Sequence, residues 1–240
     1  MIDSLANPAR FQRFAARAQP AALWLAGLAL GAGLWLALAA SPPDYQQGET
    51  VRIMYIHVPA AWLAMAAYTG LAVCGVLSLV WKHPLADVAA AEMAPLGAAF
   101  TVLALATGML WGKPMWGAWW VWDARLTSVL ILLFLYFGHM ALTRAFDDAG
   151  RGLRAAAVLA IVGWVNVPII KFSVDWWNTL HQPASVLRLA GPAIHPSMLW
   201  PLGLMALGYT ALFAGILMLR MRAHLMERRV RALGLARVTA

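Results

Sequence analysis

The sequence predicts an all-α polytopic membrane protein with six transmembrane helices. Three observations carry that expectation. Hydrophobic residues fill 62% of the 240 positions and charged residues 12%, too apolar a balance for a water-soluble domain of this length. Several runs of about 20 residues lack charge, which is the length a helix needs to cross the hydrocarbon core. The basic residues cluster beside those runs, so the net charge of +8 reads as membrane topology rather than as a nucleic-acid-binding face.

The whole of 1–240 reads as one membrane domain, with spans at about 21–40, 58–81, 93–111, 124–143, 155–173 and 197–219. Arg10, Arg13 and Arg17 precede the first apolar run as in a signal peptide, but the run is longer than a signal-peptide core and reads as a retained span. Pro59, Pro95 and Pro196 stand near the starts of the second, third and sixth spans, where a missing N–H is tolerated. The fifth carries Asn166 and Pro168, and the residues after Leu219 form a short basic helix candidate. Six spans put both termini on one side. Of the 18 basic residues, only Arg52, Lys113, Arg125, Lys171 and Arg188 fall on the other side. The positive-inside rule then places the termini in the cytoplasm and the loops at about 41–57, 112–123 and 174–196 outside. In a bacterium these loops face the periplasm.

The stretch 112–127, with Trp111 just before it, stands apart. Trp111, Trp116, Trp119, Trp120 and Trp122 crowd together there, followed at once by Asp123 and Arg125. Flat indole faces beside charge suit a flat, apolar, partly anionic ligand, and a porphyrin with two carboxylates is of that kind. An interfacial aromatic belt is the simpler alternative. Gly112, Pro114 and Gly117 are expected to break this segment from the preceding helix. Trp116, Trp119, Trp120 and Asp123 then follow helical spacing, which fits a short helix lying in the interface. Asp123 occupies an N-cap position for the next helix, and Arg125 is placed to snorkel.

His57, in M-Y-I-H-V-P, and His195, in A-I-H-P-S-M, both stand at expected helix starts on the tryptophan side, each with a proline within two residues. Two such imidazoles form a candidate axial pair for haem iron. His181, in N-T-L-H-Q-P, lacks that setting and is expected to be a loop histidine. Trp176 and Trp177 add to the outer aromatic face, and Arg52, Arg125, Lys171 and Arg188 are candidate partners for propionates. No G-x-x-x-x-G-K-[ST] is present, which excludes P-loop nucleotide hydrolysis, and no C-x-x-C-H is present for covalent haem attachment. Cys74, the single cysteine, lies in an apolar run and permits no disulfide within the chain. No nucleophile or acid–base constellation stands on the outer face, so the chain reads as a non-enzyme.

The residues W-G-x-x-W-x-W-D-x-R-L-T from Trp116 to Thr127 resemble the WWD signature of haem-handling membrane proteins in cytochrome c biogenesis. Span number and the contexts M-Y-I-H-V-P-A-A-W, K-F-S-V-D-W-W-N-T-L-H-Q-P and I-H-P-S-M-L-W-P resemble, within that group, the heme exporter protein C (CcmC) family. The likeness runs from about residue 45 to 220. It implies that haem b, as transient cargo, is held at the periplasmic face of the bacterial inner membrane and delivered to a periplasmic haem chaperone, CcmE. It also implies work within an ABC-type complex of an ATPase (CcmA), a second membrane subunit (CcmB) and a small single-span protein (CcmD). By that resemblance His57 and His195 are the axial ligands and Trp116, Trp119, Trp120 and Trp122 the haem platform and chaperone contact. Asp123 and Arg125 would orient the loop. A cytochrome b-type electron-transfer subunit, a cofactor-free permease using the Asn166–Pro168 break, and a structural anchor remain the competing readings.

Overall fold

The computed structural model describes residues 7–238 apart from 184, 187, 189 and 190. Among these, six helical segments are long and apolar enough to cross a membrane. The chain is built from α1 (Pro8–Trp35, prolonged by a π-helical turn, Leu36–Ala40), a 3-10 turn (Glu49–Ile53), α2 (Met54–Trp81), α3 (Ala86–Trp116), α4 (Ala124–Leu142), α5 (Ala149–Gly163), α6 (Asn166–Trp176) and α7 (Pro196–Val238). α5 and α6 together make the fifth crossing. The expectation of six spans is met.

The helices are longer than their apolar runs. α1 begins at Pro8 rather than near 21, because Asn7 caps it by accepting from the amides of Ala9 and Arg10, and Pro8 at the first position needs no N–H partner. The basic tail is not a separate helix but the end of α7, which continues unbroken to Val238. The ends themselves, residues 1–6 and 239–240, lie outside the described residues, as does the side chain of Arg237, a residue assigned above to the cytoplasmic side.

The fifth crossing breaks at Trp164–Val165. Pro168 cannot donate to the carbonyl of Trp164, and that carbonyl accepts instead from the amide of Val167, at 2.9 Å. Asn166 beside the break is buried and donates to the Ser128 carbonyl at 2.8 Å, which ties the break to α4. A permease path lined by Asn166 would need that amide free.

Two apolar clusters hold the bundle. One, among α2, α3, α4, α5 and α6, centres on Tyr68, Leu71, Leu132 and Tyr136. The tyrosine rings meet edge to face at 5.1 Å, and the Tyr136 hydroxyl donates to the Ala64 carbonyl at 2.7 Å. The other joins Tyr55, Ala60 and Leu63 of α2 to Ala104 of α3 and to Met198, Leu202 and Met205 of α7. It lies at the end of the bundle that carries the three tryptophan-side loops. α1 packs along α7, where a Cβ on Gly208 would lie 2.7 Å from the Leu30 side chain. Close backbone approach of this kind drives association where lipid is as apolar as leucine. Exposed Trp24, Leu28 and Phe134 face outward, as suits a lipid-facing surface.

Tyr136 lies directly over Gly97, where a Cβ would come within 2.2 Å of the phenol ring. Gly97→Ala should therefore destabilise the bundle by about 1–3 kcal/mol, the usual cost of overpacking. Thermal unfolding in detergent, followed by monodispersity on size exclusion, measures it. A wild-type midpoint would contradict the packing.

Candidate functional site

Three loops meet at one end of the bundle. In the first, Asp44 folds a compact turn: its Oδ1 accepts from the amides of Gln46 and Gln47 at 2.8 and 2.9 Å, and its backbone pairs with Gly48. Gly48 sits at φ +56°, a left-handed conformation that glycine adopts without strain. The turn presents the Gln47 side chain to α3, where its Oε1 accepts from Trp111 Nε1 at 2.9 Å.

α3 does not break at Gly112 or Pro114 as expected; it ends at Gly117, in the left-handed conformation at φ +75°. Pro114 removes only one N–H, three residues from the helix end, so the last turn survives it. Lys113 closes that end, its carbonyl accepting from the Gly117 amide and its Nζ donating to the Gly117 carbonyl, both at 3.0 Å. Trp116 is therefore helical. Residues 117–123 are not, and the expected interfacial helix carrying Trp119, Trp120 and Asp123 does not form. A glycine in the left-handed region at its start and a helix cap at its end prevent it.

Asp123 makes that cap, as expected. Its Oδ1 accepts from the Leu126 amide at 2.8 Å. Its Oδ2 accepts from His181 Nδ1 at 2.8 Å and from the Thr179 hydroxyl. One carboxylate thus starts α4 and fastens the second loop to the third. His181 is far from an idle loop histidine: its ring also lies edge-on to Trp116, with centroids 4.8 Å apart, and Trp116 meets Trp111 edge-on at 5.3 Å. Its signal in the sequence is the paired T-x-H after W-W-N. The partner carboxylate is 58 residues away, and no periodicity links the two.

Burial opposes charge on Asp123, but hydrogen bonds from Thr179, the Leu126 amide and His181 outweigh it and hold the carboxyl below its ordinary range. Burial likewise pushes His181 below the ordinary imidazole value, against the pull of Asp123. The pair is therefore a carboxylate accepting from a neutral imidazole. With Nδ1–H given to Asp123, the lone pair of His181 lies on Nε2.

His57 does not precede its helix. The 3-10 turn Glu49–Ile53 runs straight into α2, so His57 falls in the first turn. Its Nδ1 lies 3.0 Å from the Ala104 carbonyl and 3.1 Å from the Thr107 hydroxyl of α3. The carbonyl can only accept, so Nδ1 carries the proton and Nε2 the lone pair. The ring rests against Gly108, where a Cβ would stand 3.3 Å from His57 Cε1. His181 and Arg125 are its ionisable neighbours.

His195 does stand immediately before α7. It is exposed, and its Nδ1 lies 2.8 Å from the Ser197 hydroxyl and accepts from the Ser197 amide at 3.3 Å. His57 and His195 flank residues of one apolar cluster, Ile56 and Val58 on α2 and Ile194 and Met198 beside α7, so both lie at the same end. The residue gathered against Trp116 and Asp123, however, is His181.

Arg125 does not snorkel. Its Nε donates to the Ser173 hydroxyl at 3.1 Å, and Nη2 donates to the carbonyls of Ile170 and Lys171 at 3.3 and 3.2 Å, near the carboxyl end of α6. Arg52 is paired with Glu49 and the Ala37 carbonyl. Lys171 and Arg188 are exposed. Trp119 and Trp122 are 54% and 75% exposed, and Trp120 packs edge-on to Trp122 at 5.4 Å. Trp120 Nε1 is buried with no acceptor among the described residues.

The arrangement defines a polytopic membrane protein with an aromatic, imidazole-bearing site formed by three loops at one end of its bundle. The family profile for CcmC, heme exporter protein C, matches residues 1–236. A heme exporter protein C of Bradyrhizobium diazoefficiens is 57% identical over 236 residues, 97% of this chain and 88% of that protein. One from Haemophilus influenzae is 47% identical over 226 residues, 94% and 92% of the two chains. A Marchantia polymorpha protein, described as a putative cytochrome c biosynthesis ccmC-like mitochondrial protein, is 48% identical over 179 residues, 75% and 74%. The chain belongs to the heme exporter protein C family.

Both shifts in the Asp123–His181 pair are downward, so the native state binds protons less readily than the unfolded chain. The contribution is complete above the ordinary imidazole value of about 6.5, weakens as pH falls through the native value of His181, and is lost once Asp123 protonates. Hydrogen exchange over 117–127 should rise as pH is lowered from 7 towards 5, after correction for intrinsic rates. It should already be raised at pH 7 in Asp123→Ala, which also loses a cap worth about 0.5–2 kcal/mol. Equal protection at both pH values in the wild type would refute the assignment.

Proposed function

We propose that this chain holds haem b as cargo at the periplasmic face of the bacterial inner membrane and hands it to the chaperone CcmE. It would do so within an ABC-type complex with CcmA, CcmB and CcmD. The observation that carries the reading is that His181, seated edge-on against Trp116, is an ionisable neighbour of His57. His57 and His181 each have Nδ1 tied down by the protein, which leaves the Nε2 lone pair for a ligand. The relatives' names, heme exporter and cytochrome c biosynthesis, support the cargo and the pathway, and the imidazoles beside indoles support the fit.

The donor set suits an iron porphyrin. A haem held here would take its axial bonds from Nε2 atoms, its flat faces would meet indoles, and the unpaired Trp120 N–H would find an acceptor at the rim. Trp119 and Trp122, being exposed, would carry the chaperone contact. Asp123 holds the second imidazole and the loop; Arg125 fixes α6 beneath them. His57 is the first axial ligand. For the second, the geometry favours His181, seated on Trp116, over the sequence-predicted His195, which is exposed and engaged with Ser197. The termini lie in the cytoplasm on this reading.

Haem content per folded protein, read from the Soret band, separates the two. His57→Ala and His181→Ala should each lower it at least about tenfold, as loss of a ligand does, while His195→Ala retains it. Loss on His195→Ala alone would restore the pair His57–His195. Delivery is tested by adding haem-free chaperone to the loaded complex. Transfer to CcmE should fall in Trp119→Ala/Trp122→Ala while loading persists, and undiminished transfer would refute the contact.

A further inference from the structure

We propose that Gln47 is a positioning residue for the His181 imidazole, acting through Trp111 and Trp116; the inference rests on the haem-holding reading above. The contacts run in series from the first loop, over the last turns of α3, to the third loop. Gln47 Oε1 accepts from Trp111 Nε1 at 2.9 Å. Trp111 meets Trp116 at 5.3 Å with planes 74° apart, and Trp116 meets His181 at 4.8 Å and 70°. Edge-to-face contacts are directional, because the positive ring edge of one partner points at the negative face of the other, so turning one ring turns the next.

The series has little slack. Gln47 is fixed at its backbone by the Asp44 carboxylate, whose Oδ1 takes the Gln46 and Gln47 amides. Trp116 has Gly112 on its other side, where even a Cβ would stand 3.1 Å from ring carbon Cε3. The Thr50 hydroxyl contacts Met115 Sδ at 3.7 Å and joins the same loop to the same turn of α3. His181 is held from behind by Asp123 and from the side by Trp116, so its azimuth about the Nδ1–H···Oδ2 bond is set by the indole. Gln47 is the only polar group among the described residues that bonds Trp111 Nε1, and without it that ring keeps only its packing contacts.

The test compares Gln47→Leu, which removes the acceptor at similar volume, with Gln47→Glu, which keeps an oxygen there, and Trp111→Phe, which removes the donor. In the haem-free complex with ¹⁵N-labelled histidine, the His181 resonances should shift in Gln47→Leu and Trp111→Phe and stay near wild type in Gln47→Glu. In the loaded complex the low-spin electron paramagnetic resonance signal should broaden or shift in the same two variants, with haem content lowered about threefold to tenfold. Gln47→Leu/Trp111→Phe should be no worse than Trp111→Phe alone, since both cut one link. Unchanged His181 resonances in Gln47→Leu overturn the linkage. Shifted resonances in Gln47→Leu and Trp111→Phe, together with a wild-type complex that takes up no haem, uphold the linkage and overturn the cargo reading instead. Gly112→Ala, which presses on Trp116 without touching loop one, should reproduce the His181 shift, and its failure to do so also counts against the relay.

Discussion

One carboxylate organises the outer end of this molecule. Asp123 accepts from the first turn of α4 with one oxygen and from Thr179 and His181 with the other. Among the described residues, the hydrogen bonds between the second and third loops all end on it, and without it α4 would begin with bare amides. The charge is tolerable in a largely buried place because the Leu126 amide, the Thr179 hydroxyl and His181 Nδ1 all donate to its two oxygens. Cap, tether and imidazole orientation therefore stand or fall together.

The bundle below supplies rigid ground for that end. α2 is bound to its neighbours by tyrosine hydroxyls that reach carbonyls: Tyr68 donates to Leu159 on α5, and Tyr136 of α4 donates to Ala64. This satisfies polar groups where no water is at hand. The break in the fifth crossing stops α6 short of a full span, and Arg125 and Asn166 lock the short helix to α4. The third loop leaves α6 directly after Trp176, so the place where His181 arrives depends on that lock.

Much of this was legible in the sequence. Charge-free runs marked every crossing, since hydropathy and helix length are local properties. Asp123 as a cap was equally local, a carboxylate just before an apolar periodic run. Helix ends were harder: α1 and α7 extend well beyond their apolar stretches because capping and mutual packing, rather than hydropathy, decide where they stop. Gly112 and Pro114 carry the local signal of helix breakers, yet a helix one turn from its end loses little by them. His57 was misplaced by one turn because a 3-10 segment merges with α2. His181 carries little local signal of its role, since its value comes from Asp123 and Trp116, both more than 50 residues away.

The tryptophan loop between Gly117 and Asp123 has no regular structure, yet both its footings are fixed, one by Lys113 and one by the α4 cap. It behaves as an arch on two abutments. Its crown, Trp119 to Trp122, holds out two exposed indoles while the feet keep their spacing. Display and registry are here assigned to different residues.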